Sequence, residues 1–124
     1  MIYTSYFAKL SKLPDNITPI AICGKSPEWY KGLEYKKLAP KWSFFSEWKK
    51  THDNEFYIQH FNKEVLDPIN ADNVVKELYA LANKDPDEDI VLICYEKPSD
   101  FCHRHLVATW LNQHGYPVSE YVFE

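Results

Sequence analysis

Hydrophobic positions along this chain follow two different periods, and segments of the two kinds alternate. Apolar and β-branched runs at residues 2–8, 19–23, 90–95 and 117–123 predict β-strands. Apolar positions three and four residues apart predict helices at 43–50, 54–66 and 72–83, and a last helix that starts at the Cys-His-Arg at 102–104 and ends near Gly115. Residues 27–38 fit neither period. The alternation predicts an α/β fold: a single three-layer-like domain over residues 1–124, with a small, mostly parallel sheet flanked by helices.

Polar residues at the ends of these segments predict where the helices begin. Asn70 or Asp72 is placed to cap the helix at 72–83, and Ser99 or Asp100 to cap the last helix. Pro117 at the start of the final strand favours an edge position in the sheet, because proline donates no ladder hydrogen bond.

Composition narrows the class of protein. A net charge of −4 argues against binding nucleic acid through an extended basic surface. No apolar run approaches the roughly 20 residues that span a bilayer, and the first residues lack a signal-peptide pattern. Three cysteines are an odd number, which does not suit a secreted disulfide framework. The sequence therefore predicts a cytoplasmic protein with reduced thiols and leaves its oligomeric state open.

The reactive side chains are concentrated where the strand at 90–95 passes into the last helix. Cys94 lies at the end of that strand, and Cys102, His103 and Arg104 open the helix. Backbone N–H groups at a helix start favour anions and thiolates. We predict Cys102 as a nucleophile, His103 as a proton carrier and Glu96 as an acid or base, or as an ion-pair partner of Arg104. Arg104 and Cys94 are predicted to bind ligand, with Arg104 holding an anion.

Helical spacing orients these residues. At about 100° per residue, His103 lies near the middle of the buried arc, with Cys102 and Arg104 at its two borders. His105 is expected to point towards solvent. The alternatives are structural: His103 as a hydrogen-bonded core histidine, and Cys102 as a small buried apolar side chain.

A second polar segment follows the strand at 19–23. Cys23 ends this strand, and Gly24, Lys25 and Ser26 come next. If the strand is a parallel neighbour of 90–95, both ends meet at one cleft, so Lys25 and Ser26 are predicted to bind ligand there. The Gly-Lys-Ser triplet lacks the glycine and spacing of a P-loop, so it does not indicate an ATPase.

The aromatic residues between positions 42 and 61 have two interpretations. Packing in the core is the first. The second is a lid in which Trp42, Trp48 or Tyr57 stacks on a flat ligand such as a base.

Metal binding is an alternative because Cys23, Cys94, Cys102 and His103 are zinc-type ligands. No Cys-x-x-Cys pair is present, and seven residues separate Cys94 from Cys102. The sequence therefore predicts no metal and no cofactor, and a structural Cys/His metal site is kept as an alternative.

The segment from Cys94-Tyr-Glu96 to Cys102-His103-Arg104 resembles the family catalogued as domain of unknown function 488. The resemblance is specific over residues 91–111 and looser over most of the chain. It implies a single α/β domain of the kind found in bacteria and phages, and it implies no particular activity. Many members carry Thr-Ile-Gly-His-Ser after the first strand, where this chain has Thr4-Ser5-Tyr6-Phe-Ala. The resemblance therefore implies that Thr4 and Ser5 line the cleft without that histidine.

These observations together predict a thiolate-dependent enzyme that acts on an anionic small molecule or nucleotide-like ligand. The alternative from another class is a non-catalytic module that binds a ligand or a partner through the same pocket.

Overall fold

Five parallel strands form the centre of the computed structural model, which describes residues 1–123. The strands are β1 (Ile2–Tyr6), β2 (Thr18–Ala21), β3 (Leu33–Glu34), β4 (Ile90–Cys94) and β5 (Val118–Glu120). The α-helices are α1 (Trp42–Thr51), α2 (Asn54–Phe61), α3 (Ala71–Ala82) and α4 (His103–Gln113). Two 3-10 helices span Phe7–Lys12 and Lys36–Leu38, and a π-helical turn, Asn62–Leu66, continues α2.

The strand order is β3-β2-β4-β1-β5, which confirms the predicted α/β fold. β4 is the central strand, and all five of its residues are buried, as its unbroken apolar sequence predicts. β2 and β4 are parallel neighbours, with Ala21 opposite Ile93, so their carboxyl ends meet at one edge of the sheet. β5 lies at the sheet edge, in agreement with the proline that precedes it.

Different structures cover the two faces of the sheet. Ile90 and Leu92 of β4 belong to the larger hydrophobic cluster, which includes buried residues of all four α-helices. Val91 and Ile93 point to the opposite face and belong to a smaller cluster that contains Phe7 of the first 3-10 helix. The strict alternation along β4 therefore builds two cores on either side of one strand.

The ends of several predicted segments differ from the structure. Residues 7 and 8 were predicted as strand, but the chain turns at Phe7 into a 3-10 helix. Phe7 is buried on the second face beside Tyr30, with ring centroids 5.3 Å apart, so packing overrides its β propensity. The segment that fitted neither period contains the short edge strand β3, which pairs with β2.

The starts of α3 and α4 test the predicted caps. The Asn70 side chain accepts a hydrogen bond from the Asn73 N–H, which confirms one of the two candidates for α3. The prediction for α4 is wrong: Cys102 is the N-cap residue, and no side chain caps the helix. Ser99 and Asp100 lie too early, because extended backbone at Cys102, with φ −154°, separates them from the first helical residue.

Within residues 1–123, no helix has the length and apolar character needed to cross a membrane.

Candidate functional site

A cavity of about 560 Å³ lies beyond the carboxyl ends of β2 and β4. Small-molecule sites in proteins usually have volumes of about 300–1,000 Å³, and parallel sheets bind ligands at this edge. Both segments that the sequence singled out reach the cavity. Its lining includes Cys23 and Lys25 from the end of β2, and Cys94, Glu96, Cys102 and His103 from the β4–α4 connection.

Cys94 and Cys102 meet at the base of this cavity. Cys94 is the last residue of β4, and Cys102 is the residue before α4, so the loop between them folds back on itself. The structure joins the two sulfurs as a disulfide, with the Cα atoms 7.7 Å apart. Both side chains are buried, and Cys23 is the one free cysteine among residues 1–123. The prediction that all the thiols are reduced therefore differs from the structure at this pair.

Hydrogen bonding fixes the tautomer of His103. Its Nε2 lies 2.7 Å from the backbone oxygen of Ile22, and a carbonyl oxygen only accepts, so Nε2 carries the hydrogen. Nδ1 therefore has the free lone pair, and it lies 3.9 Å from the sulfur of Cys102. Burial lowers the pKa of His103 to about 4, so the imidazole is neutral at pH 7. The side chain points inwards, as the helical spacing predicts.

Arg104 is fully buried, and its donors meet protein groups. Nε and one terminal nitrogen bind the two carboxylate oxygens of Glu120 at 3.1 and 3.0 Å. The other terminal nitrogen donates to the Glu96 backbone oxygen and lies 3.2 Å from the sulfur of Cys94. The predicted ion pair with the Glu96 carboxylate is thus replaced by one with Glu120. Arg104 is not part of the cavity lining, so the structure places it behind the cysteines and not at the cleft mouth.

Aromatic side chains form one wall of the cavity. Trp48, Tyr57 and Phe101 contact one another, with ring centroids 4.9–5.6 Å apart. The indole N–H of Trp48 donates to the Asn54 side chain at 2.9 Å, which fixes the plane of the ring. Trp42 also lines the cavity and is 70% exposed. All three residues proposed for an aromatic lid therefore face the same space as the cysteine pair.

Other ionisable groups in the lining have shifted pKa values. Burial raises the pKa of Tyr57, and the nearby Glu96 charge adds to this effect. Burial also raises the pKa of the Cys23 thiol, although Ser26, whose oxygen lies 3.7 Å from the sulfur, acts in the opposite direction. Both groups are therefore neutral at pH 7, because each ionises only above its ordinary pKa.

Besides Arg104, three predicted ligand-binding residues lie outside the cavity lining. Ser26 donates to the Glu34 carboxylate at 2.6 Å. Thr4 is buried in β1 and donates to Glu120 at 2.7 Å. Ser5 is fully buried in the same strand, in the register position opposite Ile93. The expectation that these residues line the cleft is not met. Thr4 and Ser5 lie opposite Leu92 and Ile93, before the strand end at which Tyr6 is opposite Cys94.

His105 also differs from the expectation that it faces solvent. It is only partly exposed, and its Nε2 is buried without a hydrogen-bond partner. Burial lowers its pKa.

Sequence reasoning missed Glu120 as the partner of Arg104. Glu120 follows Arg104 by sixteen positions, and an acidic residue on an edge strand has no local pattern that marks it as the partner of a buried cation. It also gave no role to Phe45 and Phe101, which share the aromatic wall. The density of aromatic residues before position 61 was the available signal for Phe45.

A family model described as the active DUF488-N3 subclade matches residues 6–115. No curated protein and no solved structure matches the chain.

Proposed function

This chain belongs to the DUF488 family, and we propose that it is a thiolate-dependent enzyme acting on a nucleotide-like or other planar, anionic small molecule. One observation carries the proposal: a Cys–Cys–His cluster forms the base of an aromatic-walled cavity at the ligand-binding edge of a parallel sheet. The description of the matching subclade as active accords with an enzyme.

The walls of the cavity support a planar ligand. Trp48 and Tyr57 line the cavity, and a base that stacks on an aromatic ring gains about 1–3 kcal/mol. Lys25 at the end of β2 provides a positive charge for an anionic group. Glu96 lines the same cavity and would act as acid or base, or accept a hydrogen bond from the ligand. Because Arg104 is already paired with Glu120, it acts here by positioning Cys94.

The proposed chemistry begins from the reduced cysteine pair, which a cellular dithiol would generate from the disulfide. Cys102 precedes α4, where backbone N–H groups stabilise negative charge on sulfur. The Cys102 thiol passes its proton to Nδ1 of His103, the resulting thiolate bonds to an electrophilic carbon of the ligand, and the displaced group leaves with the electron pair of the broken bond. The neutral, Nε2-protonated imidazole is the form that accepts this proton. Reduced thiols imply the cytoplasm as the compartment.

Alkylation of the reduced protein tests this function, with Cys23 as an internal control. Cys23 and Cys102 are 5% and 4% exposed and line the same cavity, so a difference in rate reports reactivity and not access. After reduction, limiting iodoacetamide and peptide mass spectrometry should show Cys102 reacting at least tenfold faster than Cys23. His103→Gln should remove this advantage.

Mononucleotides tested at millimolar concentration should protect Cys102 from alkylation, and Trp48→Ala should abolish the protection. If Cys102 reacts no faster than Cys23, the nucleophilic role is wrong. If nucleotides protect Cys102 despite its ordinary reactivity, and Cys102→Ser still binds them, the cavity is a non-catalytic binding module.

A further inference from the structure

Cys94, Cys102 and His103 have the donor set of a metal centre, and we propose that the reduced cluster binds one zinc ion. One ligand atom from each residue lies within 4.8 Å of the other two, and all three side chains are buried. Sulfur and imidazole donors favour zinc over the harder Mg²⁺ and Ca²⁺. The sequence spacing did not predict this site, because only the fold brings the end of β4 against the start of α4.

The surroundings of the cluster fit metal ligation. A zinc-bound histidine usually donates its other ring N–H to a backbone carbonyl or carboxylate, which aims the ligating nitrogen. His103 does this: Nε2 donates to Ile22, and Nδ1 faces the sulfur of Cys102. Arg104 places a guanidinium nitrogen 3.2 Å from the sulfur of Cys94, so it offsets the charge of that thiolate.

The separation of the Cys102 and His103 donor atoms agrees with a tetrahedral ion, and the two sulfurs move apart when the disulfide is reduced. With zinc bonds of 2.3 Å to sulfur and 2.0–2.1 Å to nitrogen, a sulfur and a nitrogen ligand lie about 3.6 Å apart and two sulfurs about 3.8 Å. Cys102 and His103 already have their donor atoms 3.9 Å apart. The Cα atoms of Cys94 and Cys102 are 7.7 Å apart, beyond the usual disulfide range of about 4.4–6.8 Å, so this backbone spacing can hold the two sulfurs apart once they are reduced.

Zinc binding requires reduction of the disulfide. A phosphine reduces it in water by a two-electron step, giving two thiols and one phosphine oxide. Zinc then displaces one proton from each thiol. The oxidised pair and the metal centre are therefore alternative states of the same three side chains.

Three protein ligands leave one coordination position, and it faces the cavity because all three residues line it. A zinc site with three protein ligands and an open position is the catalytic type, in which water or ligand occupies the fourth place. This inference goes beyond the proposed function: in the zinc form Cys102 is a ligand, and in the metal-free form it is the nucleophile.

Cobalt(II) titration tests the site, because thiolate–cobalt charge-transfer absorption reports ligation directly. The full chain is reduced with a phosphine, freed of metal, and titrated with Co²⁺ and then Zn²⁺. We expect one Co²⁺ per chain, with thiolate charge-transfer bands that zinc abolishes. Removing a residue that only hydrogen-bonds to a metal ligand weakens metal binding by about 10–100-fold. Removing a ligand itself should have a larger effect. We therefore expect Co²⁺ affinity to fall by at least about a hundredfold in each of the variants Cys94→Ser, Cys102→Ser and His103→Gln.

Cys23→Ser is the matched control, because Cys23 lines the same cavity but is not in the cluster. It should leave the affinity and the spectrum unchanged. Wild-type affinity in both Cys102→Ser and Cys94→Ser would overturn the proposal, as would an equal loss in Cys23→Ser. Circular dichroism separates loss of ligation from loss of fold. Alkylation of the metal-free protein tests the nucleophile separately, so either proposal can fail without the other.

Discussion

The positive charge of Arg104 is buried in the protein, and its counter-ion is one residue of the edge strand β5, Glu120. Glu120 binds it through both carboxylate oxygens, and Thr4 donates to the same carboxylate at 2.7 Å. Glu120→Gln keeps the shape of the side chain but removes its charge. The amide has only one oxygen, so an N–H₂ group also replaces one of the two acceptors that Arg104 uses. The substitution therefore leaves the buried cation without its counter-ion.

The expected cost follows from this burial. Removing one partner of a buried ion pair costs about 3–5 kcal/mol, whereas an exposed pair is worth about 0–1 kcal/mol. The side chain of Arg104 is 0% exposed and that of Glu120 is 24% exposed, so water relieves part of the loss at Glu120. We expect Glu120→Gln to lower the free energy of unfolding by about 3 kcal/mol. That is a large share of the roughly 5–15 kcal/mol that stabilises an ordinary domain.

Urea denaturation under a fixed concentration of reductant measures this loss. Glu47→Gln, at an exposed residue, is the control for the change in net charge and should shift stability by no more than about 0.5 kcal/mol. The double variant Arg104→Met/Glu120→Gln no longer buries an unpaired cation, so it should be less destabilised than the two single losses added together. A loss below about 1 kcal/mol for Glu120→Gln would refute the reasoning, because it would make the pair equivalent to an exposed one.

Three other positions give predictions of stability. Asn70→Ala removes the acceptor for the Asn73 N–H and should lower the free energy of unfolding, measured in urea, by about 1 kcal/mol. An unchanged urea midpoint would show that this hydrogen bond does not stabilise α3. Gly115 has φ +88°, so Gly115→Ala should cost about 1–2 kcal/mol and lower Tm. Burial raises the pKa of Tyr30 from 10.0 to about 12, so the stability it contributes is complete below pH 10 and lost as pH rises towards 12. Tyr30→Phe should reduce the loss of unfolding free energy between pH 10 and pH 12. If the variant loses as much stability as the wild type over that range, the raised pKa of Tyr30 is not its cause.

Local sequence patterns determined most of the elements that position the site. Five consecutive apolar residues predicted β4, and the apolar stripe with Asn70 predicted α3 and its start. These signals are local, because period and capping depend on neighbours within about four residues. The same reasoning placed the ends of β2 and β4 at a common cleft. It also aimed His103 into the fold, since one helical turn fixes that direction.

Only the tertiary structure decided what meets at that cleft. Glu120 pairs with Arg104 because β5 lies beside β1, and no local period specifies that strand order. α1 and α2 contribute Trp48 and Tyr57 to the cavity that the cysteines also line, which a sequence rich in aromatics does not by itself distinguish from core packing. Local patterns determine which face of an element is buried. The partners of that face depend on long-range packing, which also brings Cys94, Cys102 and His103 close enough to act together.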